Sequence, residues 1–371
     1  MFKTLFLKHM RERGEAPTEM SRFLDILKQL VRTPSVVGTE HSFFLFLKRE
    51  LEEIGIQTTL YEGVLVAEGK NPDSGMISAH IDRHGLICTG PNEFQYAAFT
   101  AQNRGDLTGD SVSEKTYQDI KERFINQRVQ AYDPWSGAYL GLGEINHAYF
   151  CERRGNVVFN VQGLEHLYAG TPVAFMDTLR YQDGYLSAQL DNVLSAAMIL
   201  FLYEKGYQGR AFFTAEEEAG KSWRFLLEWF RGRDIGTDEL LVLDTSPYPD
   251  RKTADAQHIV LRNRDANATF TSPLRHKITD ICDAFSISYG YKDHFIEALN
   301  EERIAQDLFP YSLGSTEMGR LVNASEGNIQ GTTFQLPTTG YHTTRETVSM
   351  AAVIDAIKIL ETLYIEEDRE T

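Results

Sequence analysis

The chain has 371 residues, 42% of them hydrophobic and 24% charged, with a formal net charge of −16 at pH 7. That length allows two domains, or one domain carrying an insertion. The negative charge argues against nucleic acid and anionic membrane surfaces as partners, since both would repel it. Three scattered cysteines, Cys88, Cys151 and Cys282, make neither a disulfide framework nor a CxxC knuckle, which favours a reducing compartment. The run MFKTLFLKHMRERGE is too short for a signal h-region and has no small-residue cleavage site. No stretch approaches a membrane span. The expectation is a soluble cytoplasmic protein.

In chain order, TEMSRFLDILKQLVRT (18–33) has apolar residues at helical spacing and stops at Pro34. A second helix is expected over about 40–53, then two short strands, QTTLY and VLVAEG. GMISAHID (75–82) is expected to be a buried strand ending in polar residues. From about Asn92 to Gly170 the texture changes to short alternating runs rich in aromatics and glycine, the pattern of a small β-rich unit, with one helix near Ser113–Asn126. Its aromatics are expected to form its own small core. Past Thr171 helices and strands alternate again. LDNVLSAAMILFLYEKG, GKSWRFLLEWFRG, SPLRHKITDICDAFS and STEMGRLVNA are read as helices, RAFFTAEE, ELLVLDTS, HIVLRN and TTFQLP as strands, and a last helix is expected from about Glu346. This is a three-layer α/β pattern interrupted by the β-rich unit, so the host domain is discontinuous.

The polar residues that stand out share a location. His80 and Asp82 end one strand, Asp191 and Asn192 lie between LSAQL and a helix, Glu216–Glu218 end another strand, Asp244 ends a third, and His342 follows a fourth. The carboxyl ends of strands in an open α/β sheet form the ligand crevice, so His80, Asp191, Glu218, Asp244 and His342 are expected on one rim. Three carboxylates and two imidazoles gathered there call for one or two divalent cations, because uncompensated like charges are costly. Imidazole with carboxylate suits zinc, and also cobalt or manganese. Two metals sharing a bridging carboxylate would suit hydrolysis. Successive glutamates past a strand end diverge, so one can bind metal while the one before it faces the bound water. Asp82, two positions after His80, is placed to accept that ring's other N–H. His84 is read as a rim residue and not a ligand, and Glu216 as solvated.

Other chemistries fail on their motifs. Gly220-Lys221-Ser222 mimics the end of a phosphate-binding loop, but Ala215 stands where its first glycine is needed and three glutamates fill the loop. There is no GxSxG elbow and no HExxH.

The set AHID (79–82), LDN (190–192), TAEEEAG (214–220), VLD (242–244) and YH (341–342) resembles the co-catalytic metallopeptidases, and within them the glutamyl aminopeptidase and endoglucanase-M-like family. PSVVGTEHSFFLFLKREL is similar to that family's opening helices. LGSTEMGRL is similar to its glycine-threonine-aspartate turn, with Glu317 in place of Asp. His80 and Asp191 lie 111 positions apart, against 27 from Asp191 to Glu218 and 26 from Glu218 to Asp244. The insertion thus falls between the first two ligands, as in that family.

The resemblance implies a discontinuous α/β/α catalytic domain (1–90 and 171–371) with an inserted β-rich, PDZ-like domain (91–170). It implies two divalent ions, Zn2+ or Co2+ with Mn2+ as an option. One would be held by His80, Asp191 and Asp244, the other by Asp191, Glu218 and His342. It implies Glu217 as general base, Asp82 supporting His80, a cis peptide after Asp191, removal of N-terminal residues from peptides, and homo-oligomers. Asn192 and Val193 stand where the family has aspartate and arginine, and Glu216 where it has glutamine. The alternatives are a metal-dependent amidohydrolase or deacylase on the same scaffold and a non-catalytic metal-binding protein.

Overall fold

The computed structural model describes residues 17–101 and 114–365. The N-terminal apolar patch and the expected helix start at Ser113 lie outside the described residues.

Four parallel strands form the middle of an eleven-stranded sheet: Arg210–Thr214, Met76–His80, Thr237–Pro247 and Ile329–Thr339, in that spatial order. RAFFT and LLVL are near-continuous apolar runs because helices cover both faces, while Ile329–Thr339 is mostly buried yet carries several polar residues. Arg210–Thr214, for instance, is buried at every position. Antiparallel strands extend the sheet on both sides, Gln57–Tyr61 and Val64–Glu68 on one, Glu346–Ser349, Tyr185–Ala188 and Arg180–Gln182 on the other. The helix Val193–Glu204 is buried from Val193 to Tyr203, all the way round, which explains its unbroken apolar sequence. It packs against the helix Pro17–Arg32 within the larger core, beside the C-terminal helix Met350–Tyr364.

The β-rich unit is a closed six-stranded barrel of Leu86–Gly90, Glu93–Tyr96, Asn156–Gln162, Tyr139–Cys151, Arg128–Tyr132 and Pro172–Phe175. Phe94, Phe124, Tyr132 and Phe159 fill it, so many of its aromatics are its own core. Others are not: Trp135 and Tyr168 are exposed. Barrel strands already begin at Leu86 and continue to Phe175, a few residues beyond the change in sequence texture. The runs read as GAYLGLGE and HAYFCERRG are one long strand, Tyr139–Cys151, with a register shift between Ile145 and His147.

Near the other end of the chain, Glu346 begins a strand, Glu346–Ser349, and the last helix starts only at Met350. The strand wins because the Glu346 side chain is fully buried and pairing with Ile329–Thr339 and Tyr185–Ala188 satisfies this segment's backbone. A further helix, Lys292–Ile304, had no clear sequence signal.

The helix Glu317–Ala324 opens on Thr316, whose hydroxyl accepts from the Gly319 N–H. The Glu317 carboxylate accepts from Ser78 Oγ and Thr214 Oγ1, both at 2.7 Å, and so clamps two adjacent strands just beneath the rim. Glu317→Ala would strand two buried hydroxyls. It is expected to cost about 2–4 kcal/mol, read as a lowered urea midpoint with an unchanged slope.

Candidate metal centre

His80, Asp191, Glu218 and His342 sit where a strand stops or a turn begins, and Asp244 lies within a strand. His80 is the last residue of its strand, paired in register with Thr214, the last of the next. Asp191 follows Tyr185–Ala188 and opens the helix beginning at Val193. The Asp191–Asn192 peptide is cis. Asp244 lies inside Thr237–Pro247 rather than at its end, since that strand continues past the rim. His342, with φ of 60°, lies in the turn after Ile329–Thr339.

These residues converge in two groups. His80, Asp191 and Asp244 offer ligand atoms that all lie within 4.8 Å of one another, and so do His84, Glu218 and His342. His80 Nε2 is 3.1 Å from Asp191 Oδ1 and 3.5 Å from Asp244 Oδ1. His342 Nε2 is 3.5 Å from Asp191 Oδ2 and 3.3 Å from Glu218 Oε1. Asp191 thus turns one oxygen toward each group. Ligand atoms about 2.0–2.2 Å from a shared tetrahedral ion lie about 3.3–3.5 Å apart, so these separations fit the donor set.

Several of these atoms are left without ordinary partners. Asp191 Oδ1, Glu218 Oε1, His342 Nε2 and His84 Nε2 are fully buried, and none has an aligned hydrogen bond among the described residues. Buried polar atoms without partners are costly, and here they lie close to one another.

The charge balance points the same way. The burial of His80 opposes its ionisation, but Asp191, Asp244 and Asp82 outweigh it and raise the pKa well above the ordinary value. Burial and neighbouring carboxylates raise Glu218 and Asp244. Burial pushes Glu217 up to about 8, against the pull of His80. Burial would raise Asp191 as well, yet His342 and His80 hold it below the usual range. Without cations this cluster reaches neutrality only by holding protons; divalent ions would take the protons' place.

The three glutamates diverge because their backbone is pinned. Asp82 Oδ1 accepts from the Glu217 N–H at 2.9 Å and Oδ2 from the Glu218 N–H at 3.0 Å. The buried Glu40 accepts from the Glu216 N–H at 3.3 Å. Glu216 takes φ of 58° and pairs with Lys221 at 3.0 Å, so it is partnered and not simply solvated. The main contacts of Asp82 are therefore to the turn carrying Glu217; its Oδ1 lies 3.5 Å from His80 Nδ1.

Asn192 has a positive use. Its Nδ2 donates to the Leu243 carbonyl at 2.8 Å, fixing the strand one residue before Asp244. A carboxylate could not donate there.

His84 is buried among the rim residues. Its side chain is buried, its Nε2 is 2.8 Å from Glu218 Oε2, and its ring meets that of His342 at 3.7 Å between centroids. The backbone turns it inward: the Arg83 guanidinium is tied to Ser35 Oγ and the Val31 carbonyl, and Gln189 Nε2 donates to the His84 carbonyl. The barrel side contributes Tyr96, whose hydroxyl is 2.6 Å from His84 Nδ1, and Arg123, 3.4 Å from His342 Nδ1. Nothing in the sequence pattern singled out either.

Glu346 also escaped sequence reasoning. Its carboxylate accepts from the Leu190 and Asp191 N–H groups at 3.0 and 2.8 Å and from Thr338 Oγ1 at 2.9 Å. Burial and the Asp191 charge push it up to about 8 against those donors. It holds the turn that aims Asp191. Glu346→Gln is expected to weaken cation binding by about 10–100-fold, read by calorimetric titration of chelator-stripped protein.

No protein-family profile matches the sequence, and no curated protein matches it. Solved structures do match. The TET aminopeptidase of a marine-sediment Thaumarchaeota archaeon superposes with a TM-score of 0.67 at 14% identity, over 95% of this chain and 98% of that one. The TET1 peptidase of Pyrococcus horikoshii, which can assemble into a tetrahedron or a large octahedral shell, gives 0.65 at 16% identity over 93% and 100%. An aminopeptidase from the archaeon Desulfurococcus kamchatkensis gives 0.66 at 14% identity over 94% and 95%. The chain shares the fold of these enzymes along nearly its whole length.

Proposed function

We propose that this chain is a metal-dependent aminopeptidase that removes N-terminal residues from peptides, with Asp191 shared between two divalent cations. The observation that carries this reading is the placement of the two Asp191 oxygens, one facing His80 and the other His342. His80 and Asp244 would hold one cation with Asp191, and Glu218 and His342 the other. Zn2+ or Co2+ suits this mixture of imidazole and carboxylate, with Mn2+ as an option. Bound there, such ions supply Lewis acidity toward the scissile carbonyl and make water acidic enough to react near neutral pH.

The chain's own residues do the rest. Glu217, on a turn fixed by Asp82, takes a proton from the attacking water and returns it to the leaving amine. Water and peptide become a carboxylic acid and an amine, and the proton passes through one side chain.

The reading includes assembly as a homo-oligomer, supported by the shells of the Pyrococcus peptidase, with the exposed barrel residues Trp135 and Tyr168 as a contact surface. A cytoplasmic setting fits the free cysteines. No described helix is long and apolar enough to cross a membrane.

The deciding experiment is turnover of a panel of aminoacyl p-nitroanilides with added Co2+ or Zn2+, alongside N-acylated amino acids. Release from substrates with a free α-amine, abolished by a chelator, is expected. Turnover of N-acylated substrates alone would make the chain a deacylase. Tight cation binding without turnover of either would leave it non-catalytic.

A further inference from the structure

We propose that His84 is an additional ligand of the cation held by Glu218 and His342, giving that position two imidazoles. The inference rests on the metal-dependent reading above and adds to it a residue that lies outside the five expected ligands.

Three observations carry it. The first is position. His84 Nε2 lies 2.8 Å from Glu218 Oε2, while His342 Nε2 lies 3.3 Å from Glu218 Oε1. The two imidazoles thus flank one carboxylate, one at each oxygen, and the three residues offer ligand atoms within 4.8 Å of one another. The second is that His84 Nε2 is fully buried and lacks an aligned hydrogen bond, despite its closeness to Glu218. The third is the other face of the ring. His84 Nδ1 meets the Tyr96 hydroxyl at 2.6 Å, and the two rings stack at 5.4 Å between centroids. When the phenol oxygen accepts a hydrogen bond from Nδ1–H, the Nε2 lone pair is left facing Glu218. A hydrogen-bond acceptor on the far ring nitrogen is the usual support of a ligating imidazole.

The rival arrangement reverses the proton. Tyr96 donates to Nδ1, and Nε2–H donates to Glu218. The heavy atoms serve either arrangement, but only the first presents a lone pair to a cation.

The chemical consequence is selectivity. A position with two imidazoles and carboxylate favours Zn2+ and Co2+ over Mn2+ and Mg2+, which prefer oxygen donors. The position built on His80, Asp191 and Asp244 has one imidazole and should discriminate less.

The test uses the full chain, stripped with a chelator and titrated with Co2+ and Zn2+. Wild type is expected to bind two ions. His84→Gln is expected to weaken one of them by about 10–100-fold and to alter the visible bands of the Co2+ form, while His80→Gln weakens the other. A His84→Gln chain that binds both ions with wild-type affinity and spectrum overturns the proposal and leaves the metalloenzyme reading standing. Wild type that binds no ion overturns that reading instead. A second measurement needs no variant. Anomalous scattering from Zn2+-loaded wild-type crystals should place one peak about 2.0–2.1 Å from His84 Nε2, and a separation beyond about 3 Å overturns the proposal.

Discussion

Glu217→Gln is expected to keep its cations and lose turnover by a factor on the order of 10²–10⁴. The side chain is removed from none of the assigned ligand sets, and glutamine is nearly isosteric. What it loses is a basic oxygen able to accept a proton. The turn should survive, because the Glu217 backbone, not its side chain, is bound to Asp82. The check is kcat on an aminoacyl p-nitroanilide beside metal content by mass spectrometry. Full activity in this variant would remove Glu217 from the role of base. Activity lost together with metal would show that the side chain serves cation binding instead.

Asp191→Ala is expected to abolish binding of both ions and all detectable hydrolysis. Each of its oxygens faces a different imidazole, so one deletion opens both positions. Stability follows by mass action. A ligand at 100 times its dissociation constant stabilises the native state by about 2.7 kcal/mol. Wild type should therefore melt higher with added Zn2+, and the variant should not. Retention of two ions by the variant would mean that Asp191 is not shared.

Much of the fold could be read from the residues, for identifiable reasons. RAFFT and LLVL are apolar because both faces of the parallel sheet are covered, and such runs are hard to mistake. The strand-end rule pointed to His80, Asp191, Glu218, Asp244 and His342, which lie near one another, although Asp244 sits within its strand and not at its end. Failures came where side chains act across long sequence gaps. Glu346 looked like the acidic start of a helix, yet its buried carboxylate serves the Asp191 turn 155 residues earlier. His84 looked peripheral because its burial depends on Tyr96 from the barrel and on Gln189, neither of which its own neighbourhood announces. Asp82 was expected to accept the second ring N–H of His80; its carboxylate lies 3.5 Å from that nitrogen and takes hydrogen bonds from the backbone amides of Glu217 and Glu218. Single-residue reasoning cannot see a hydrogen bond that exists only after two distant loops meet.

The contribution of Tyr96 and Arg123 to the centre bears on modularity. A closed barrel whose ends return to neighbouring points of the host invites treatment as a cassette, to be excised or exchanged. Here the seam runs through the candidate site: cutting out Leu86–Phe175 would remove the Tyr96 hydroxyl beside His84 and the Arg123 guanidinium beside His342. A transplanted barrel would have to bring a phenol and a guanidinium to the same two places, so the insertion and its host are constrained to change together.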